Sequence, residues 1–208
     1  MARQEKLYQA VIDGNRENVK KLVKQSLDQN IGIEPLLYDS MIPAMREMGE
    51  RFSRSEIFVP QMLISARAMQ AGLTILGPIL AQSEREAPLK VAIGTVKDDL
   101  HDIGKNLVAI MLKGAGYEVI DLGTNCSIEK YDEAVEQGVN IIMCSALLTT
   151  TRDYIKKVVE HYNDNNAIKV IVGGAPIDQK FADSVGADGY GKDANEAVKI
   201  VEQITATQ

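Results

Sequence analysis

The 208-residue sequence has little cysteine and little histidine, and each shortage excludes a class of site. Its two cysteines, Cys126 and Cys144, are too few for a disulfide framework. Cys144 lies in an apolar run and is predicted to be a core residue, whereas Cys126 lies in a loop-like segment and is predicted to be accessible. The two histidines, His101 and His161, show no ligand spacing with either cysteine, so a zinc site is not expected.

The sequence also lacks an excess of basic residues and a long apolar run. Its 23 Lys and Arg residues against 29 Asp and Glu residues give a net charge of −6 at pH 7, so no general attraction to nucleic acid or anionic membrane is expected. No apolar run approaches the roughly 18 residues that span a bilayer, and residues 1–9 are too polar for a secretory signal. These features predict a cytoplasmic protein that binds neither nucleic acid nor membrane.

The first half of the chain shows a helical period. Apolar residues recur at helical spacing over residues 4–82, which predicts four helices and a small bundle. Asn15 is a predicted N-cap of the second helix. Pro43 falls inside the third helix and is predicted to kink or interrupt it.

The second half alternates short apolar runs with amphipathic segments. Five strands are predicted, at residues 90–96, 118–122, 140–145, 169–172 and 187–190. Strict alternation of strands and helices, with continuous apolar strands, is typical of a parallel sheet covered on both faces. We therefore predict an α/β fold in which a four-helix-bundle cap (residues 1–86) precedes a flavodoxin-like, Rossmann-like doubly wound five-stranded parallel sheet (residues 87–208). A charged linker is predicted at residues 83–88.

One histidine follows the first predicted strand and has an acid two residues before it. Asp99 and His101 lie in the segment 98–104, at the edge where open α/β sheets bind their ligands. A neutral imidazole binds a metal through one ring nitrogen while a carboxylate commonly holds the other. A single protein ligand implies a metal that arrives with most of its coordination filled, as in a macrocycle. His161 instead lies on an amphipathic helix and is interpreted as a solvated surface residue.

Other interpretations of this loop stay open. The Gly-Lys pair at its end resembles the start of a phosphate-binding loop, but Asn106 stands where a hydroxyl would bind magnesium. Asp98 and Asp99 end a strand as in phosphoacceptor domains, although the later acid and lysine of such domains are missing. Asp99 and His101 are also suited to general base catalysis, and an ordinary surface histidine is the simplest interpretation.

Small and hydroxylic residues follow the other predicted strands. Gly94, inside the first strand, indicates close approach by another group. The residues after the third, fourth and fifth strands are Ser145, Leu147, Thr149, Thr151, Gly173, Gly174 and Ala194. Together they predict an elongated slot for a ligand with a long tail.

The order of these motifs resembles that of corrinoid (vitamin B12) proteins of methyltransferase systems and of the cobalamin-binding module of methionine synthase. The shared pattern is Asp99-x-His101-x-x-Gly104, then Ser145-x-Leu147, then Gly173-Gly174. Residues 48–52 and 57–62 are similar to the capping segment of that family, so the resemblance covers nearly the whole chain. It implies cobalamin, methylcobalamin or a related corrinoid as cofactor, bound with its own base displaced and with His101 as the lower ligand of cobalt.

The resemblance also implies roles for further residues. Asp99 would accept a hydrogen bond from His101, and Thr151 would extend this relay where methionine synthases have serine. Positions over the upper face of cobalt are matched by Phe52, Val59 and Met62, for which helix patterning alone favours the bundle core. The other implied cofactor contacts are Gly94, Asp98, Leu100, Asp102, Gly104, Ser145, Leu147, Thr149, Gly173, Gly174 and Ala194.

The implied function is that of a methyl carrier, a non-catalytic corrinoid subunit. Its implied partners are a donor-specific methyltransferase, a second methyltransferase that passes the methyl group to tetrahydrofolate or a thiol, and a reductive activation protein. Methylamines, methanol, betaines and methoxylated aromatics all stay open as donors. The alternatives are a cobalamin-binding sensor, a mutase subunit, which would lack the helical cap, and a colourless enzyme that uses the histidine as a base.

Overall fold

The computed structural model of the chain describes residues 3–80 and 89–206. The described residues form two compact units, which are treated separately. The helical unit comprises the residues up to 80 together with Lys113–Gly116, and the sheet unit comprises the rest. The predicted linker, and with it the predicted domain boundary at residue 86, lies outside the described residues.

The helical unit contains the four predicted helices. They are α1 (Glu5–Ile12), α2 (Arg16–Asp28), α3 (Ile42–Ser53), which continues from a π-helical segment (Glu34–Met41), and α4 (Val59–Leu80). The Asn15 side chain accepts a hydrogen bond from the N–H of Asn18 at 3.1 Å, which confirms the predicted cap. The interruption predicted at Pro43 is the change from π- to α-helix one residue before it, where the wider turn accommodates a residue without an N–H donor.

Helix α4 corrects the expectation that no apolar segment of the chain is long enough to span a bilayer. Its segment Val59–Ile79 is long and apolar enough to cross a membrane by length and composition, with a mean hydropathy of 1.2. Met62, Met69 and Leu76 of this helix are fully buried, and the helix packs against α2 and α3. An apolar helix with this packing is the core helix of a bundle, and such helices pass the same test.

The sheet unit has the predicted doubly wound architecture. Its strands are β1 (Lys90–Val96), β2 (Glu118–Cys126), β3 (Ile141–Ser145), β4 (Lys169–Gly173) and β5 (Gly189–Gly191). Its helices are α5 (Ile103–Gly114), α6 (Ile128–Glu136), α7 (Thr149–Tyr162), α8 (Gln179–Val185) and α9 (Ala194–Ala206). All strand pairs are parallel and the order is β2-β1-β3-β4-β5, which confirms the flavodoxin-like prediction.

Apolar side chains cover both faces of the central strands. On β3, Ile142 and Cys144 pack with residues of α6, α7 and α8, while Ile141 and Met143 are buried toward the opposite face. Successive strand residues point to opposite faces, so a strand buried on both sides reads as a continuous apolar run. This packing explains why the alternation of apolar runs and helical segments predicted the fold, and it confirms Cys144 as a core residue.

Strand β2 continues four residues beyond its predicted end and buries Cys126. Its pairing with β1 shifts register at Gly94 and again before Val96, so the strand bends along the sheet edge. Cys126 is fully buried, and its Sγ donates to the carbonyl of Leu122 at 3.3 Å. The prediction that Cys126 is accessible is therefore wrong, because the bulges carry the chain past Leu122 and back into the core.

Candidate functional site

Four residues form a row across the carboxyl end of the sheet. Thr95 of β1 pairs with Ser145 of β3, Ser145 pairs with Gly173 of β4, and Gly173 pairs with Gly191 of β5. The loops that leave these strands share one edge, which is the usual ligand-binding edge of a parallel sheet. The structure thus brings the β1 and β3 loops together around one carboxylate, that of Asp99.

The Asp99 carboxylate is fully buried and receives donors from both loops. Its Oδ1 lies 2.7 Å from Nδ1 of His101 and accepts the His101 backbone N–H at 3.1 Å. Its Oδ2 accepts the Thr151 hydroxyl at 2.7 Å and the N–H groups of Leu147 at 2.8 Å and Leu148 at 3.3 Å. The contacts of Asp99 with His101 and with Thr151 that the resemblance implied are both present.

These donors determine the charge of Asp99 and the tautomer of His101. Burial alone would raise the pKa of Asp99, but the hydrogen bonds from Leu147, Thr151 and His101 outweigh it and hold the pKa well below its usual range. An ionised carboxylate only accepts hydrogen bonds, so Nδ1 of the imidazole must be the donor. In the neutral ring, Nε2 then carries the lone pair that binds a metal.

Half of the His101 side chain is exposed. Large apolar side chains are also exposed in the two segments that meet at Asp99, namely Leu100 before His101, Ile103 at the start of α5, and Leu147 and Leu148 after β3. Exposed apolar groups in one place commonly mark a binding surface. Among residues 3–80 and 89–206, no group of three or more His, Cys, Asp or Glu side chains is arranged to hold a metal ion. One available imidazole nitrogen beside apolar side chains fits a metal held in a macrocycle.

The backbone of the β1–α5 loop is fixed at several points. Asp98 is exposed and has a φ of 66°, and its N–H donates to Oδ1 of Asn125 at 2.9 Å. The N–H of Asn125 in turn donates to the carbonyl of Asp99 at 3.0 Å. Asp102 is exposed and directly precedes α5. Its backbone carbonyl accepts a hydrogen bond from the N–H of Asn106 at 2.7 Å. Gly104 is exposed and has open space around it.

The structure explains three predicted glycines by contacts within the chain. Gly174 has a φ of +125°, and a Cβ atom there would lie 1.9 Å from the carbonyl oxygen of Ala146. A Cβ atom on Gly173 would lie 2.9 Å from the carbonyl oxygen of Gly191. At Gly94 it would lie 2.8 Å from Sγ of Cys126, so the group that approaches this glycine closely belongs to the protein. These glycines are required by packing whether or not a ligand lies beside them.

The remaining predicted residues differ in accessibility. In the sheet unit, Ser145 is half-buried, Thr149 is exposed, and Ala194 is buried at the start of α9. In the helical unit, Phe52 and Val59 are half-buried, whereas Met62 is fully buried, as the bundle-core interpretation predicts.

Several residues around the site were missed by the sequence analysis. The hydroxyl of Thr95 donates to the carbonyl of His101 at 2.7 Å, and its signal was a polar residue at the end of an apolar strand. Asn125 lies in the left-handed region, which asparagine tolerates. Leu148 contacts Asp99 through its backbone N–H, which leaves no pattern in the sequence. Lys105 is almost fully buried and contacts Oδ1 of Asp121 at 2.5 Å, a pairing that sequence spacing does not reveal.

Known proteins resemble this chain in sequence over most of its length. Residues 89–199 match the model of a B12 binding domain, and residues 3–76 match a second model with the same description. The chain is 39% identical over 207 residues to a corrinoid protein from Desulfitobacterium hafniense (strain Y51), with 96% of each chain covered. It is 35% identical to the trimethylamine corrinoid protein from Methanosarcina barkeri, with 95% of this chain and 94% of the other covered.

Two solved structures share the fold over most of the chain. One is a cobalamin-binding protein from Desulfitobacterium hafniense DCB-2, with a TM-score of 0.79 and 28% identity, covering 95% of this chain and 96% of that chain. The other is the methanol:cobalamin methyltransferase complex MtaBC from Methanosarcina barkeri, with a TM-score of 0.82 and 27% identity, covering 98% of this chain and 79% of that chain.

Proposed function

Because this chain belongs to the family of corrinoid proteins with a B12 binding domain, we propose that it carries a methyl group on the cobalt of a bound corrinoid. A donor-specific methyltransferase loads the methyl group, and a second methyltransferase passes it to tetrahydrofolate or a thiol. A reductive activation protein keeps the cofactor competent, and the chain works in the cytoplasm. The relatives named for trimethylamine and the methanol methyltransferase complex support a methyltransferase partner of this kind.

The observation that carries the proposal is the arrangement of His101. Its Nδ1 is held by Asp99 at 2.7 Å, its side chain is half exposed, and exposed Leu100 and Ile103 lie one residue before it and two residues after it in the chain. In the proposed complex Nε2 of His101 would hold the cobalt, and the exposed apolar side chains beside it would contact the macrocycle. Ser145 and Gly173 would line the path of the nucleotide tail.

The bound corrinoid supplies a metal centre that accepts a methyl group from one partner and releases it to another. The residues around it control one proton. While His101 is coordinated, Asp99 keeps the proton on Nδ1. With Nε2 free of a metal, a proton held there would be stabilised by the ionised carboxylate of Asp99. Thr151 fixes the orientation of this carboxylate through its hydroxyl.

The ligand assignment is tested by loading the chain with cob(II)alamin and recording its electron paramagnetic resonance spectrum. We expect a superhyperfine splitting from one axial nitrogen that changes when the protein is labelled with nitrogen-15 histidine, because the nuclear spin differs. His101→Ala should abolish this splitting. His161→Ala is the matched control, since His161 is the other histidine of the chain and pairs with Asp132 on the surface. A nitrogen-15 splitting that persists in labelled His101→Ala, or that is absent from the labelled wild type, would refute the assignment.

Methyl carriage is tested separately with the loaded, reduced chain. Candidate methyltransferases are supplied with methylamines, methanol, betaines or methoxylated aromatics, and methylation of the corrinoid is followed by its visible spectrum. We expect one donor class to methylate the chain and a thiol or tetrahydrofolate methyltransferase to remove the methyl group. A chain that binds cobalamin through His101 but exchanges no methyl group with any of these systems would instead be a cobalamin sensor.

A further inference from the structure

We propose that Thr95 is a positioning residue that fixes the backbone of His101 and thereby sets how strongly its imidazole binds cobalt. The inference rests on the proposed function, because it assigns a role in the same site. Thr95 is fully buried near the end of β1, and its hydroxyl donates to the carbonyl oxygen of His101 at 2.7 Å. The hydrogen bond joins the rigid sheet to the main chain of the loop residue that carries the imidazole.

The position of Thr95 makes this bond well suited to orient the loop. Thr95 pairs with Ser145 of β3 in the row that crosses the sheet, so its backbone is held by the neighbouring strand. Between Thr95 and His101 the chain turns back, and the N–H of Asp99 donates to the carbonyl of Val96 at 3.1 Å. The hydroxyl of Thr95 then closes this turn at the carbonyl of His101.

Thr95 and Asp99 hold different atoms of His101. Asp99 contacts the ring at Nδ1 and the backbone at the N–H, whereas Thr95 contacts the carbonyl. With both contacts in place, the backbone is fixed on either side of the Cα atom and Nε2 keeps one direction. Without the Thr95 hydroxyl, Asp99 still binds the ring, but the peptide unit after His101 is free to rotate. The distance and angle from Nε2 to a metal would then vary more widely.

The residue type supports this role over a purely structural one. Thr95 is the next-to-last residue of β1, whose other residues after Lys90 are apolar or glycine, and valine would fill nearly the same volume at this buried position. A threonine there adds one hydroxyl and no packing. Losing a hydrogen bond of this kind weakens the ordered state by an amount that corresponds to a factor of about three to ten in an equilibrium constant.

The test compares Thr95→Val, which removes the hydroxyl at nearly constant volume, with Thr95→Ser, which keeps it. Thr74→Val is the matched control, because the Thr74 hydroxyl donates to the carbonyl of Gln70 at 2.8 Å within a helix of the helical unit. In the cob(II)alamin-loaded chain, electron paramagnetic resonance and visible spectra are recorded over a temperature series. They give the ratio of the His101-coordinated form to the uncoordinated form. We expect this ratio to fall about three- to tenfold in Thr95→Val and to be restored in Thr95→Ser. Thr74→Val should match the wild type.

The chain without cofactor gives a second measurement. Nitrogen-15 nuclear magnetic resonance of the imidazoles should show His101 signals shifted and broadened in Thr95→Val, with His161 unchanged as an internal reference. Unchanged His101 signals and an unchanged coordination ratio in folded Thr95→Val would overturn the inference, as would a failure of Thr95→Ser to restore them. If Thr95→Val does not fold, Thr95→Ser and Thr95→Ala, which differ only in the hydroxyl, serve as the comparison. A wild-type chain in which His101 never binds cobalt would refute the ligand assignment in the proposed function, while the imidazole signals still test whether Thr95 fixes His101.

Discussion

Asp99 accepts hydrogen bonds from two loops and through both of its oxygens. A carboxylate removed from water is costly unless its charge is compensated by donors. Here the compensation comes from the backbone of Leu147 and Leu148, from the Thr151 hydroxyl and from His101. The carboxylate therefore stays ionised although it is buried, and it holds the imidazole in one tautomer. The same contacts tie the β1 and β3 loops together, so Asp99 also has a structural role.

The contribution of Thr151 to this arrangement is measurable. Thr151→Val removes an O–H donor from a buried carboxylate at nearly constant volume, so we expect the free energy of unfolding to fall by about 2 kcal/mol and the pKa of Asp99 to rise. Thr151→Ser keeps the donor and should cost less than about 1 kcal/mol. Urea unfolding at neutral pH gives the free energies of unfolding of the wild type and of both variants. Equal stabilities for the valine and serine variants would show that the hydroxyl contributes nothing to Asp99.

At the scale of elements, the sequence predicted the helices and strands whose period is regular. The predicted ends of the buried strands β1 and β3 agree with the observed ends within one residue, because their apolar runs are uninterrupted. The end of β2 was missed because its last residues are paired through bulges, which depend on the neighbouring strand and leave no periodic signal. The π-helical start of the third helix was indicated only by Pro43, since the widened turn is a response to packing and to the missing donor.

A hydrogen-bonded cluster of side chains joins α1 to α3 in the helical unit. The hydroxyl of Tyr8 donates to Glu47, Arg51 contacts the same carboxylate, and the guanidinium of Arg3 lies 4.0 Å from the centre of the Tyr8 ring. Burial first, and then the hydrogen bond to Glu47, raise the pKa of Tyr8 to about 12. The helical unit thus contains a buried phenol whose protonated form is the one that binds its partner.

The pH dependence of stability follows from that pKa. A pKa raised above its ordinary value of 10 means that the folded state holds the proton more tightly, so the stabilisation is complete below pH 10 and is lost as the pH rises toward about 12. We expect Tyr8→Phe to lower the free energy of unfolding by about 1–2 kcal/mol at neutral pH. The difference from the wild type should shrink above pH 10, as measured by urea unfolding across this range. A difference that stays constant into the alkaline range would contradict the contact with Glu47.

At the scale of the whole molecule, the site joins segments that are distant in the chain. Leu147 and Thr151 reach Asp99 across 48 and 52 residues, and Asp98 reaches Asn125 across 27. A single sequence shows which loops follow which strands, so the meeting of the β1 and β3 loops was predictable from the parallel fold. The individual hydrogen bonds were not, because they depend on loop conformations and on backbone donors, which have no residue signature.

The last prediction concerns the stability of the whole loaded chain. A ligand that binds only the folded state at about 100 times its dissociation constant adds about 2.7 kcal/mol to the free energy of unfolding. For a chain of this size that corresponds to a rise of about 5–10 °C in the melting temperature. We expect hydroxocobalamin to produce this rise in the unfolding transition of the chain, measured by scanning calorimetry. Cobinamide, which lacks the nucleotide tail, should produce a smaller rise, because the proposed contact of the tail with the row of Ser145 and Gly173 is then missing. Equal shifts for the two corrinoids would place the tail elsewhere, and no shift with either would remove the basis for a corrinoid in this site.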